Sequence, residues 1–164
     1  MVIKNIIAKL PFVASNGTMK KDKISKLVIH HTGVKTPLFY DTLKMIQKDA
    51  AYHVSKDWNH LSYHYICDNV GDIFQCLPET EVGYHAGNLP VNKSSIALCV
   101  QGDYNQQTLN AKQKKALKEF TDYIFTKRPD LPNLIHSGLV GHREVRLSPT
   151  SCPGNNLFNF IKTI

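Results

Sequence analysis

A chain of 164 residues is a natural length for one domain, and a domain of that size buries roughly 70% of the surface its unfolded chain exposes, so one core with one site is expected. With 42% hydrophobic and 20% charged residues the composition is that of a globular protein, and no stretch approaches the roughly 20 apolar residues of a membrane span, which excludes stable membrane insertion through a helix. The formal net charge of +7 speeds encounter with polyanions, but charge alone does not choose among nucleic acid, anionic lipid and other anionic polymers.

Residues 1–25 are the least patterned part and are expected to form an arm packed on the domain, with short extended pieces around Val2 to Ile7. Their apolar run is interrupted by Lys4, Lys9 and Pro11, which makes a poor signal-peptide core, so synthesis in the cytoplasm without a signal peptide is expected. Lys20, Lys21, Lys23 and Lys26 read as a solvated polar segment.

The run KLVIHHT, Lys26 to Thr32, is β-branched and apolar and is ended by Gly33; it predicts a buried strand that delivers two histidines at its carboxyl end. From Asp41 to about Asp57, Leu43, Ile46, Ala50 and Val54 recur at helical spacing and predict an amphipathic helix. YHYICDNVGDIFQC reads as two strands around a turn, with Asp68, Asn69 and Gly71 supplying the turn chemistry. A third strand is expected at Ser95 to Val100. Asn110 is placed to cap a helix with Leu117, Phe120 and Ile124 on one stripe, ending before Pro129. A last helix, about Asn155 to Ile164, carries Leu157, Phe160, Ile161 and Ile164. Together these elements predict the α/β class, a single domain with a central mixed β-sheet flanked by helices.

Cys67, Cys76, Cys99 and Cys152 show no CxxC pairing, and a chain of this length needs no stapling, so free thiols are expected. A bridge between Cys67 and Cys76 across the hairpin is conceivable, although the period-2 alternation of a strand works against it. Cys99, inside SIALCV, reads as a small core residue.

Three separated positions attract attention as metal ligands. His30 ends the first predicted strand, His142 lies in LVGHREV, and Cys152 follows ten residues later in TSCPG. Hydrolysis of an amide without a nucleophilic side chain needs a metal-activated water, and zinc provides one with three protein ligands and an open position. Taken singly, a histidine at a strand end is more often a hydrogen-bonded structural residue, and a lone cysteine is usually core.

The joint pattern is more specific. VIHHTG at 28–33, SYHYIC at 62–67, VGYHAG at 82–87, NKSSIALCVQGDYN at 92–105, and VGHREV followed by TSCPG at 140–154 occur in the order found in the peptidoglycan recognition protein and type-2 N-acetylmuramoyl-L-alanine amidase family, including bacteriophage lysozyme-type amidases. The chain resembles that family over about residues 26–160. The resemblance implies a zinc amidase catalytic domain at 26–164 that cuts the bond between N-acetylmuramic acid and L-alanine in peptidoglycan. It implies Zn2+ as cofactor, with His30, His142 and Cys152 as ligands; Cys152 binds as thiolate, so metal affinity should fall in acid. It also implies that Tyr63 stands by the metal-bound water. Thr150 takes a position where bacteriophage members carry lysine, so that a neutral hydrogen bond replaces a full positive charge beside the tetrahedral intermediate. His85, Asn92 and Tyr84 are the candidates for lining the substrate groove. His31, on the opposite side of its strand, is expected to be structural.

Peptidoglycan is therefore the expected partner, met by a monomer that reaches the cell wall after release or delivery. A non-catalytic peptidoglycan-binding module is the alternative, which loss of a ligand position would have favoured; all three are present. A nucleic-acid partner is not expected, because the chain lacks the aromatic and basic interleaving of a base-stacking platform.

Overall fold

A six-stranded mixed sheet organises the residues that the computed structural model describes, 2–35 and 40–164. In chain order the strands are β1 (Ile3–Asn5), β2 (Lys26–His31), β3 (Tyr65–Cys67), β4 (Ile73–Gln75), β5 (Ser95–Val100) and β6 (Leu139–Gly141), and the helices are α1 (Thr42–Val54), α2 (Leu89–Asn92), α3 (Ala111–Thr126) and α4 (Asn155–Ile161). Across the sheet the order is β1-β4-β3-β5-β2-β6. Only the β3–β4 hairpin is antiparallel; β1 with β4, β3 with β5, β5 with β2 and β2 with β6 all run parallel. No helix among the described residues is long and apolar enough to cross a membrane.

The central strands are buried on both faces, which is why β2 and β5 read as continuous apolar runs. On one face, Leu27 and Ile29 of β2 and Ile96 and Leu98 of β5 meet Leu117, Phe120 and Ile124 of α3 and Leu157 and Ile161 of α4. On the other, Ile46 and Ala50 of α1 pack with Leu61, Ile66, Phe74 and Cys99. The central mixed sheet flanked by helices that the sequence predicts is thus observed. Asp41 caps α1 by accepting from the Lys44 amide at 3.1 Å. Asn110 and Gln113 close a reciprocal capping box on α3, which satisfies two donors that a helix start otherwise leaves orphaned.

Two elements were not foreseen. β6 is three residues long and α2 four, too short for either period to register. The N-terminal arm is more integrated than a surface wrap: Ile3–Asn5 adds an edge strand beside β4, and Ile6, Met19 and Ile24 are buried. The four cysteines are free thiols.

Two buried histidines hold the hairpin and the end of α1 in place, and both must be neutral to do so. His64 accepts the Ala97 amide at Nδ1 (3.0 Å) and meets the Glu81 carbonyl at Nε2 (3.0 Å); His53 accepts the Ser62 amide at Nδ1 (3.0 Å). Burial is the main reason that each is pushed down to about 4 from 6.5. In the unfolded chain they protonate near 6.5, so the stability they provide is complete above that pH and is lost as pH falls towards about 4. Each should cost roughly 3 kcal/mol across that window. Urea denaturation at pH 7 and at pH 4.5 should show that loss, and equal midpoints at the two values would contradict it.

Candidate metal centre and cleft

Parallel pairing brings the two ligand histidines together. Ile29 of β2 is opposite Gly141 of β6, so one residue further along, at the carboxyl ends of the two strands, His30 comes beside His142, with ring centroids 4.4 Å apart. Gly141 lets α4 and the loop that carries Cys152 pack directly onto β6: a Cβ there would stand 2.8 Å from the Phe158 ring and 3.1 Å from Pro153.

Cys152 reaches the same point because the intervening loop folds back and is bracketed by Arg143. The Arg143 amide donates to the Cys152 carbonyl at 3.0 Å, and its guanidinium donates to the Ser151 carbonyl and to Asn155 Oδ1. At the start of the turn, the Glu144 carboxylate accepts the Gly141 amide at 2.7 Å and is paired with Lys162. Thr150 Oγ1 accepts the Cys152 amide at 3.2 Å, so the structure places Thr150 as a brace of the cysteine loop.

One ligand atom from each of His30, His142 and Cys152 lies within 4.8 Å of the others. His30 Nδ1 is 3.7 Å from Cys152 Sγ, and the sulfur is approached by the His31 amide at 3.5 Å. Among the described residues, neither ring nitrogen of His142 has a partner at full hydrogen-bonding geometry, although both are buried; the Ala86 carbonyl beside it favours a proton on the ring, while burial, the larger influence, opposes one. Buried polar atoms are rarely left unsatisfied, so an orphaned imidazole beside a second imidazole and a thiol is a ready position for a metal ion. Burial, then His85 and His142, pushes His30 well below its ordinary range, which leaves it a neutral donor. Burial pushes the Cys152 thiol up to about 11, opposed by the His31 amide, Arg143 and Arg146. A metal must therefore displace the thiol proton, and its hold weakens as pH falls.

A cavity of about 360 Å³ opens at His142 and shares Trp58 and Tyr63 with a second one of about 400 Å³. Tyr63 is partly buried, with its ring centroid 5.2 Å from that of His30. Burial, then the neighbouring Cys99 and Cys152, raises its phenol well above the ordinary range, so it keeps its proton, with the Cys99 sulfur within hydrogen-bonding reach of the hydroxyl. Tyr84, His85, Asn92 and Arg146 line the smaller cavity with His142. Asn92 is held inward, its Oδ1 accepting the Ala86 amide at 2.8 Å, which shapes the wall. His85 is bonded to His30 itself, Nδ1 to Nε2 at 3.0 Å, as well as lining the cleft. His31 turns to the other face and accepts the Tyr104 amide at Nδ1, 3.2 Å away. Arg143, Arg146, Trp58 and Ser95 were not singled out from the sequence; only their positions in space mark them.

The family model described as Amidase_2, N-acetylmuramoyl-L-alanine amidase, matches residues 20–155. Peptidoglycan-recognition protein SC2 of Drosophila melanogaster is 30% identical over 152 residues, covering 92% of this chain and 79% of that protein. Among solved structures, N-acetylmuramoyl-L-alanine amidase LysC from Clostridium intestinale URNW superposes with a TM-score of 0.76 at 24% identity, covering 99% of this chain and 96% of that one. A Drosophila PGRP-LB variant in complex with tracheal cytotoxin superposes with a TM-score of 0.71 at 22% identity, covering 93% and 86%.

Proposed function

Because the chain belongs to the N-acetylmuramoyl-L-alanine amidase family, we propose that it hydrolyses the amide bond between the lactyl group of N-acetylmuramic acid and L-alanine in peptidoglycan, using zinc held by His30, His142 and Cys152. The observation that carries this reading is the convergence of three donor atoms within 4.8 Å at the edge of a cleft. Two nitrogens and a sulfur suit zinc, and bonds of about 2.0–2.1 Å to nitrogen and about 2.3 Å to sulfur at tetrahedral angles set those atoms about 3.6 Å apart. His30 Nδ1 and Cys152 Sγ, at 3.7 Å, fit that spacing. A bound zinc supplies a Lewis acid and activates water for attack on the amide carbonyl.

The protein's own groups do the rest. Two strand ends and the Arg143 bracket hold the three ligands around one point before any metal arrives. Tyr63, protonated and next to His30, donates a hydrogen bond to oxygen at the reacting carbon, where charge develops. Thr150 fixes the amide of Cys152 through an oxygen lone pair, which leaves the hydroxyl hydrogen to donate towards the site. Asn92 and Tyr84 wall the cleft that receives the muropeptide. Support for a muropeptide comes from the tracheal cytotoxin complex of the structural neighbour.

Purified peptidoglycan incubated with the zinc-loaded protein should gain free amino termini. The gain should vanish after treatment with a strong chelator and return with one equivalent of zinc. Equal release by chelated and reconstituted protein would overturn the metal-dependent reading.

A further inference from the structure

Behind the metal centre runs a chain of buried hydrogen bonds whose direction can be read from one end. At that end the Val91 carbonyl can only accept. Ser95 Oγ lies 2.6 Å from it, a separation at which two oxygens need a hydrogen between them, so the single Ser95 hydroxyl hydrogen is committed to Val91. The same Oγ lies 3.1 Å from His85 Nε2. With its hydrogen already used, the hydroxyl can only accept there, and His85 must carry its proton on Nε2. His85 Nδ1 is then a bare lone pair. It stands 3.0 Å from His30 Nε2, so His30 in turn carries its proton on Nε2 and presents Nδ1 as a lone pair. Nδ1 is the atom that faces Cys152 Sγ.

We propose that Ser95, through His85, is a positioning residue that locks the tautomer and ring orientation of His30 for metal binding. The inference rests on the zinc reading above but adds a residue to which neither the sequence motifs nor the comparisons give a role. Ser95 and His30 are almost fully buried, at 0% and 1% exposed, and His85 at 7%, so water does not compete for these links. Without these links a ring flip of His30 would turn a carbon edge towards the metal position, and the other tautomer of His30 would turn an N–H towards it. A histidine ligand whose second nitrogen donates to a fixed acceptor is more basic and better aimed, and loss of such a partner typically weakens metal binding 10–100-fold. The wall of the cleft and the support of the ligand are thus the same side chain, His85.

The test uses the full-length protein, with zinc affinity measured by competition against a chromophoric chelator and with ring 15N chemical shifts of the metal-free protein. The parent should show His85 and His30 protonated at Nε2. Ser95→Ala should weaken zinc binding about 10-fold and let His85 sample both tautomers, and His85→Leu should weaken it about 10–100-fold. His85→Asn, whose Oδ1 can stand where Nδ1 stood and accept from His30, should recover affinity to within a few-fold of the parent. A merely structural role for His85 would leave the asparagine as weak as the leucine. Ser95→Ala and His85→Leu proteins that fold and bind zinc as tightly as the parent would overturn the proposal, as would parent shifts showing His85 protonated at Nδ1. The shifts need no metal, so failure of the parent to bind zinc would count against the proposed function and leave the tautomer chain to be judged separately.

Discussion

His142→Ala should lower release of amino termini from peptidoglycan by about 10³-fold or more while leaving the metal-free protein folded. The two halves of that expectation have separate causes. Loss of one of three ligands removes both affinity for the ion and the geometry that leaves a position for water, and a Lewis acid at the carbonyl accounts for several kcal/mol of barrier. Folding is spared because, among the described residues, the His142 ring has no partner beyond the nearby Ala86 carbonyl and the residue lines the cleft wall. The same substitution at His30 is a poorer test, since it also breaks the link to His85. Activity assays paired with thermal unfolding in chelator check both halves. A variant that retains a tenth of the parent activity would contradict the assignment of His142 as a ligand.

Arg128→Met should destabilise the fold by about 3–5 kcal/mol at pH 8, the largest loss expected from a single surface-proximal residue away from the cleft. Glu79 is nearly buried and accepts three charge-matched or polar donors: Tyr65 Oη at 2.6 Å and the Arg128 guanidinium at 2.7 and 2.5 Å. Burial by itself would raise the Glu79 carboxyl; the hydrogen bonds from Arg128 and Tyr65 outweigh it and hold the group below its ordinary range. With the guanidinium gone, the carboxylate keeps only the tyrosine hydroxyl, and burial then favours taking up a proton. The sign follows from linkage. In the parent, Glu79 contributes stability that is present above its unfolded pKa and lost on acidification, whereas in the variant the folded group binds its proton more tightly than the unfolded one and gains stability in acid. The gap between the two proteins should therefore narrow from pH 8 to pH 5, and Glu79→Gln in the Arg128→Met background should recover part of the loss. Urea denaturation at both values measures it; a loss below about 1 kcal/mol at pH 8 would place this pair among ordinary exposed bridges.

What could be read in advance divides along physical lines. KLVIHHT declared its strand and the placing of His30 because β-branched apolar residues ended by glycine leave few other readings. Asn110 declared the start of α3 because its cap is local in sequence. The meeting of His142 with Cys152 is of another kind. Ten residues of loop have no periodicity, and the convergence depends on Arg143 bonding three groups at once and on the absence of a side chain at Gly141; only the family motif pointed to it. The bond between His85 and His30 spans 55 positions and has no local signature, so His85 was legible as a cleft residue but not as a support for the ligand. Glu79 and Arg128, 49 positions apart, were equally silent. Thr150 was expected beside the reacting atoms, and its observed bond to the Cys152 amide shows a bracing contact that residue type alone does not reveal.

Mass spectrometry of the soluble products from purified peptidoglycan treated with zinc-loaded protein bears most directly on whether the triad serves an amidase. Stem peptides that begin with a free L-alanine amine, and glycan chains whose muramic lactyl groups end in carboxylates, are the predicted products. Fragments cut within the sugar backbone or the peptide cross-links, or a wall that binds the protein and stays intact, would contradict it.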